Sequence, residues 1–598
     1  MKIARVILPI ALEKEFDYCL SGNAPARRGM RVQVNFNGKR RIGIISGIQP
    51  TTKCAKIKPV LEVLDPSPVL RPDQFRLARA LSQFYPYAFG EFLFMMLPAA
   101  AKRRKKLEWT PARRPGSGTS PQETVPSYIQ GFDFAQRYRR YRPFLDEALS
   151  RGSVVFCVPH AGLLGEAAAR LKEDYPERIC PLHSRMTEKE QYASWHRSRS
   201  RSVLLGTRSA LWYYPRDLTL IVLDEEHSEY YFQEEKPYSH LRDVARLVAD
   251  ETKCRVLLGG EYPSLATYAQ IHRKRITADF SAHAFTPIQI IPLHDTGNKH
   301  RAFSPLLFEF IRQTLEQEKR CILIWNKKGY TRALVCTSCN VSLQCRQCSG
   351  YLWYSRAEDK AVCSRCERRY SVPPLCPVCN SGLLKSRGMG IEKLEAMIRQ
   401  FFPEAALAML DEENKRESDI LLSTRKAVNI PQLRGKYDRA FILDIDSFLN
   451  RREYHATFDA FLFLRKLSWM MKERVYLFTR LLSHPLFETL NESWEQFYRK
   501  ELDTRRRLSL PPYGHTVKFV LRGPKEMSVC RQAQNLYNKL SGIPGDLYGP
   551  APEVPFRVRG NYRFSITLKT GASVPVRKEV KNVLSRHRTH AKIAVIIE

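Results

Sequence analysis

Residues 218–227 read LTLIVLDEEH, six apolar or β-branched residues running without interruption into a cluster of acids. An unbroken run of this kind suits a strand covered on both faces, the strand type of parallel sheets. Similar runs flank it, SVVFCVP at 153–159, SVLLG at 202–206 and CRVLLGG at 254–260, with helically spaced stretches between them. Alternating strands and helices predict a parallel α/β unit over residues 127–285.

A second alternation follows in CILIWN at 321–326, ALAMLD at 406–411, SDILLS at 418–423 and RAFILDID at 439–446. It predicts another α/β unit over 286–332 and 381–490, interrupted by a cysteine module at 333–380. The first hundred residues carry short β-branched runs (KIARVILPI, EFDYCL, RVQVNF, RRIGIISGI) between turn residues, the pattern of a small β-rich domain over 1–100. Residues 101–126 open with Lys102, Arg103, Arg104, Lys105 and Lys106 and continue through a Pro-, Gly- and Ser-rich stretch, an exposed linker. A mixed α+β domain closes the chain over 491–598.

Lys and Arg total 97 against 61 Asp and Glu among 598 residues, a net charge of +36. That balance favours polyanions, nucleic acid before membrane surfaces. No apolar run reaches the roughly 18 residues of a membrane span and no signal peptide opens the chain, so a cytoplasmic protein with no membrane partner is expected.

Of 15 cysteines, eight form the pairs Cys336/Cys339, Cys345/Cys348, Cys363/Cys366 and Cys376/Cys379, while others such as Cys19, Cys157 and Cys530 stand alone. A C-x-x-C turn aims two thiolates at one metal, so four pairs make two four-sulfur sites. Closed all-thiolate sites suit structural Zn²⁺ and a reducing compartment; an iron–sulfur cluster is the lesser reading. Spacing alone leaves sequential and nested pairings both open.

With this module set inside a two-lobed α/β unit, the chain resembles the PriA family, the primosomal protein N′ helicases that reload the replication machinery at stalled forks. The strings carrying the resemblance are LLGTRSALW from Leu204, LDEEHSEYYFQEEKPYSHLRD from Leu223, NKKGY at Asn326–Tyr330, the cysteine ladder, GMGIEKLE from Gly388 and LSLPPYGH from Leu508. It implies two RecA-like lobes and a nested metal arrangement: Cys336, Cys339, Cys376 and Cys379 on one zinc, Cys345, Cys348, Cys363 and Cys366 on the other. It also implies that residues 1–100 capture a DNA 3′ end through Phe16, Asp17 and Lys58, near an Asn37-Gly38 turn. Base stacking, a carboxylate for the 3′-hydroxyl and a cation for phosphate are coherent chemistry there. The C-terminal domain would contact DNA through Arg557, Arg559, Tyr562 and Arg563. The linker leaves no room for the winged-helix domain that many family members carry.

A motor of this class needs a Gly-rich loop ending in Gly-Lys-Thr to hold triphosphate and Mg²⁺. Here that loop must fall in GFDFAQRYRRY at 131–141, where Gly131 survives but Arg137 and Tyr138 stand in the Lys-Thr positions. Phe134 and Gln136 add bulk where the backbone must approach phosphate. The acidic motif remains as Asp224-Glu225-Glu226-His227, read as a structural remnant. GGEYPSLAT at 259–267 and STRKAVNIPQL at 423–433 replace coupling motifs, and RKLSWMMKE at 465–473 puts Met470 and Glu473 where arginine fingers belong. The expectation is a fork- or primer-binding restart factor, nucleoid-associated and working with other primosome proteins, with two zinc ions and no helicase activity. The competing expectations are an active 3′-to-5′ helicase with an atypical nucleotide loop and an RNA-binding zinc protein.

Overall fold

The computed structural model describes Lys2–Ile597 apart from residues 21–24, 55, 104–124, 184, 199–200, 234, 282, 284, 294–303, 326–332, 356–357, 365, 388–390, 411–417, 452, 572–573 and 588–590. Most of the basic linker, NKKGY at Asn326–Tyr330 and Gly388–Gly390 lie outside the described residues.

Strands β1 (Lys2–Ile7), β2 (Phe16–Leu20), β3 (Arg31–Phe36), β4 (Lys39–Gln49) and β5 (Lys58–Val63) close a barrel in the order β1-β2-β5-β3-β4. Alternation sends Ala4, Val6, Tyr18, Val32, Val34 and Ile45 into its interior. Ile7 and Ile44 instead pack with Phe75 and Phe92 of two helices, α1 (Pro72–Phe84) and α2 (Phe89–Met95). The buried guanidinium of Arg31 donates to Asp65 and to the Ala101 carbonyl, tying the barrel to the segment after α2.

The first lobe contains β6 (Ser127–Gln130), helix α3 (Phe134–Arg151), β7 (Ser153–Cys157), β8 (Ile179–Leu182), β9 (Val203–Gly206), β10 (Leu218–Leu223), β11 (Arg255–Gly260) and β12 (Thr277–Asp279). Its sheet order is β12-β6-β11-β10-β7-β9-β8, with every pair parallel. The fully buried SVVFC run and the LTLIVL run, buried except for half-buried Thr219, sit at its centre, helices covering both faces. Register places Gln130 beside Gly260 and Leu223 beside Cys157, so the ends of β6, β10 and β11 face one crevice.

The second lobe begins with β13 (Ile288–Pro292) and β14 (Cys321–Ile324). The chain then leaves for the cysteine module, where β15 (Ala333–Cys336), β16 (Leu352–Ser355), β17 (Lys360–Cys363), β18 (Arg369–Tyr370) and β19 (Leu384–Arg387) make two small antiparallel sheets. It returns through β20 (Leu407–Met409), β21 (Ile420–Ser423), β22 (Arg439–Ile442) and β23 (Arg474–Thr479), completing a parallel sheet of order β13-β23-β22-β14-β21-β20. The pairing of β15 with β19 brings both ends of the module together, which is how it interrupts a lobe without breaking it.

At the end of the chain β24 (His515–Gly523), β25 (Asp546–Val558), β26 (Asn561–Thr570) and β27 (Lys592–Ile597) form an antiparallel sheet ordered β25-β26-β24-β27. Its residues share one hydrophobic cluster with α1, α2 and the first lobe, and the Tyr87 hydroxyl donates to the Val595 carbonyl at 2.7 Å. A second cluster joins Phe132, Tyr262, Leu265 and Tyr268 of the first lobe to the core of the second lobe and the helix Trp494–Arg507. Among the described residues no helix is long and apolar enough to cross a membrane.

Candidate functional site

Three residues, Gly131, Phe132 and Asp133, connect β6 to α3 at the crevice. Asp133 caps the helix by accepting the Gln136 N–H at 2.7 Å, placing the chain's own carboxylate at the positive helix end. One turn on, Arg137 donates to both oxygens of Asp224 at 2.6 and 2.8 Å, to the Gly131 carbonyl at 2.9 Å and to Glu225 at 3.4 Å. The Tyr141 hydroxyl donates to the same Asp224 oxygen that Arg137 Nε reaches, at 2.7 Å. Both members of the ion pair are at most 2 % exposed.

Two glycines make room for this cluster. A Cβ on Gly131 would lie 2.7 Å from Arg137 Cγ, and one on Gly259 would lie 1.6 Å from the Tyr141 hydroxyl. Burial opposes the charge on Arg137, but Asp224 outweighs it and holds the guanidinium well above its ordinary pKa. Burial likewise opposes ionisation of Glu225, and Lys466 and Arg137 overcome it, holding that carboxyl below its usual range. Tyr138 turns away, stacking on Phe134 and donating to Asp174 at 2.7 Å. Glu226 accepts the Ser264 N–H at 2.6 Å and pairs with Arg242 at 2.9 Å, while His227 Nδ1 is buried without a hydrogen-bond partner.

The second lobe closes over this cluster. Arg434 pairs with Asp133 at 3.1 Å and lies 4.0 Å above the Trp469 ring. Lys466 pairs with Glu261, and Phe132 meets Trp469, Phe285 and Tyr262 at 5.3–5.6 Å. Met470 is buried in the second-lobe core, and Glu473 pairs with Arg439 and Lys319 away from the crevice. Sequence reading missed Asp133, Tyr141, Arg434 and Lys466; the crowding of Arg and Tyr after Gly131 was its one signal.

The cysteines gather into two sets, Cys336, Cys339, Cys376 and Cys379, and Cys345, Cys348, Cys363 and Cys366, each with all sulfurs within 4.8 Å. Sulfur–sulfur separations are 3.6 Å for Cys336/Cys379, 3.7 Å for Cys339/Cys376, 3.6 Å for Cys345/Cys366 and 3.3 Å for Cys348/Cys363. A tetrahedral ion with bonds of about 2.3 Å has edges of about 3.8 Å, so the residues fit such an ion. Backbone N–H groups of Ser338, Gln347 and Val378 donate to Cys336, Cys345 and Cys376 at 3.3–3.4 Å. Donors from Ser381 and Gly382 lower the pKa of the Cys379 thiol, while its neighbouring thiols push that of Cys339 up, as expected of four thiols sharing one small volume. Gly382 is required here, because a Cβ on it would lie 2.3 Å from Cys336 Sγ.

At the barrel mouth Phe16 and Phe36 meet edge to face at 4.9 Å, and Phe16 is partly covered by the barrel core. The β3–β4 turn beside them uses Asn37 and Gly38, both at positive φ (48° and 78°). Asp17 accepts from the Thr52 hydroxyl at 2.5 Å and the Gln49 amide at 3.3 Å. Lys58 is exposed and registers beside Tyr18.

Against known proteins, residues 5–98 match the model of the PriA 3′ DNA-binding domain (3′BD) and residues 506–598 that of the primosomal protein N C-terminal domain. The replication restart protein PriA of Treponema pallidum is 24% identical over 99% of this chain and 98% of its own length. Along nearly its whole length, and at both ends, the chain is similar to the PriA family. The PriA of Thermotoga maritima is 27% identical over 71% of the chain, which spans 61% of that protein. Among solved structures, RecG bound to a three-way DNA junction aligns with a TM-score of 0.35 at 12% identity, covering 64% of this chain and 44% of that one.

Within the matched C-terminal domain the candidates lie at one hairpin tip. Arg557 pairs in register with Tyr562 and lies 4.7 Å above its ring, and the turn between them is Arg559-Gly560, both at positive φ. Arg557 also donates to the Arg346 carbonyl at 2.9 Å and Gly560 N–H to Gln347 at 3.3 Å, docking the tip on the Cys345–Cys348 turn. Arg563 donates to the Pro555 carbonyl at 3.2 Å.

Proposed function

We propose that this chain is a replication restart factor that binds forked or primer-bearing DNA, helps reload the replication machinery with other primosome proteins, and does not turn over ATP. The observation that carries the non-motor reading is the Arg137–Asp224 pair, in which a guanidinium takes the carboxylate that Mg²⁺ would need. Breaking a buried pair costs about 3–5 kcal/mol. An ATP affinity of about 1 μM, worth about 8 kcal/mol, would weaken to about 0.2–5 mM after that cost. Asp133 adds repulsion by putting a carboxylate where the helix end would otherwise receive phosphate.

Each cysteine set holds one Zn²⁺, which supplies structural cross-linking in a segment with little core of its own. A reducing, cytoplasmic setting keeps these thiols available. The barrel mouth takes a DNA 3′ end, with Phe16 for the base, Asp17 for the 3′-hydroxyl and Lys58 for phosphate. The hairpin tip carries Arg559 and Tyr562 to duplex DNA, while Arg557 and Arg563 mainly position the hairpin. Steady-state phosphate release by zinc-replete protein, with and without forked DNA, tests the proposal. Tight fork binding without turnover is expected; robust DNA-stimulated hydrolysis overturns it.

A further inference from the structure

Where the barrel meets α2 and the loop before the helix Leu241–Thr252, a cavity of about 690 Å³ opens. Its wall carries Arg40 and Arg41 from β4, Lys102 and Arg103 from the segment after α2, and Lys236 from the loop; among the described residues Glu91 is its one carboxylate. Arg103 pairs with Glu188 at 2.9 Å, and Glu91 accepts the Ala88 N–H at 2.9 Å. Arg40, Arg41, Lys102 and Lys236 have no carboxylate within ion-pair distance among the described residues. These four cations are solvent-exposed, and clustered around one concave surface they make a positive field that attracts an anion. Desolvation pushes the pKa of the Lys102 and Lys236 ammonium groups down, and Glu91 offsets part of this at Lys236.

Apart from Gln33 the rest of the wall is apolar, with Pro9, Phe94, Met95 and Pro237 presenting flat or pliable faces. The volume lies within the roughly 300–1,000 Å³ of small-ligand sites, enough for a nucleotide unit with its phosphate. Location selects among anions. Arg40 and Arg41 register beside Asn35 and Val34, one and two residues along β3 from Phe36 at the barrel mouth. At about 3.3 Å per residue, they stand within about 7 Å of the mouth along the ribbon.

We propose that this cavity grips the sugar–phosphate backbone of a single DNA strand just inward of the 3′ end held at the barrel mouth, with Arg40, Arg41, Lys102 and Lys236 as its phosphate contacts. The inference rests on the end-binding reading of the barrel and adds a second subsite to it. The strand leaves the mouth along β4 and passes between the barrel and the first lobe, so both parts hold one substrate.

The test is fluorescence anisotropy of a labelled single-stranded oligonucleotide with a free 3′ end, titrated against full-length, zinc-replete protein across a salt series. The triple variant Arg40→Gln, Lys102→Gln, Lys236→Gln is compared with Lys525→Gln, Arg531→Gln, Lys539→Gln, which removes equal charge from an exposed region of the C-terminal domain. Each lost phosphate contact lowers the slope of log K against log salt by about 0.7 for single strands, so a loss of about 2 is expected for the first variant and little change for the second. Neutral methylphosphonate linkages placed one at a time give a readout on unaltered protein: affinity drops for linkages near the 3′ end beyond the terminal one. Equal slopes for the two variants, or equal affinities for all linkage positions, overturn the cavity. Blocking the 3′-hydroxyl without effect on affinity overturns the end-binding reading instead.

Discussion

Arg137 shows how one side chain can replace a cofactor's charge. Its guanidinium, the Tyr141 hydroxyl and Asp224 satisfy one another in a site closed to water, and Gly131 and Gly259 give them space. Arg137→Met leaves Asp224 unpaired and is expected to cost about 3–5 kcal/mol in denaturant unfolding, whereas adding Asp224→Leu recovers most of it. Full stability in the single variant would show that the pair does not hold the lobe. His240 offers a pH test: its Nδ1 accepts the Arg242 N–H at 3.2 Å, and burial holds its pKa well below 6.5. A depressed histidine contributes stability above its unfolded pKa, and this is lost as pH falls through about 6.5 toward the folded value. Thermal midpoints should therefore decline between about pH 7 and pH 5, and less steeply in His240→Asn; identical profiles would contradict this.

At the scale of elements, the cysteine module depends on close chain approach more than on its own core. β15 and β19 pair so that Gly382 passes against Cys336, leaving no room for a methyl group. Gly382→Ala is expected to displace the set containing Cys336 and lower bound zinc from about two to about one per chain by elemental analysis, with the other set retained. Unchanged stoichiometry would mean that the turn yields without losing its ion. The β25–β26 hairpin spans from the C-terminal sheet to the Cys345–Cys348 turn, so a metal held at that turn would also brace a second domain.

For the whole molecule, the joint between the lobes matters most. Phe132 is 3 % exposed, held between first-lobe Tyr262 and Phe285 and second-lobe Trp469, and Arg434 and Lys466 reach first-lobe carboxylates. The partly exposed Arg434–Asp133 pair contributes about 0–1 kcal/mol, so the aromatic cluster dominates. Truncating Phe132 to Ala should cost about 3–5 kcal/mol. On the proposed non-motor reading, small-angle scattering should be the same with and without millimolar MgATP. A nucleotide-dependent change in radius of gyration would refute the fused state.

By itself the sequence determined the strand and helix alternation, the interruption by four C-x-x-C turns and the lack of a Gly-Lys-Thr loop. These are properties of neighbouring residues, and short-range periodicity and spacing carry them. Arg137 was legible only as a misplaced residue; that it fills the Asp224 site required β6 and β10 to be brought together across 87 residues. Cysteine spacing left sequential and nested sets equally possible, and the pairing of β15 with β19 places Cys336 and Cys339 beside Cys376 and Cys379. The cationic cavity was invisible to sequence reading because its residues come from β4, the segment after α2 and a distant loop. Charge type is written residue by residue, but where charges gather, and whether they find partners, is decided by how the domains pack.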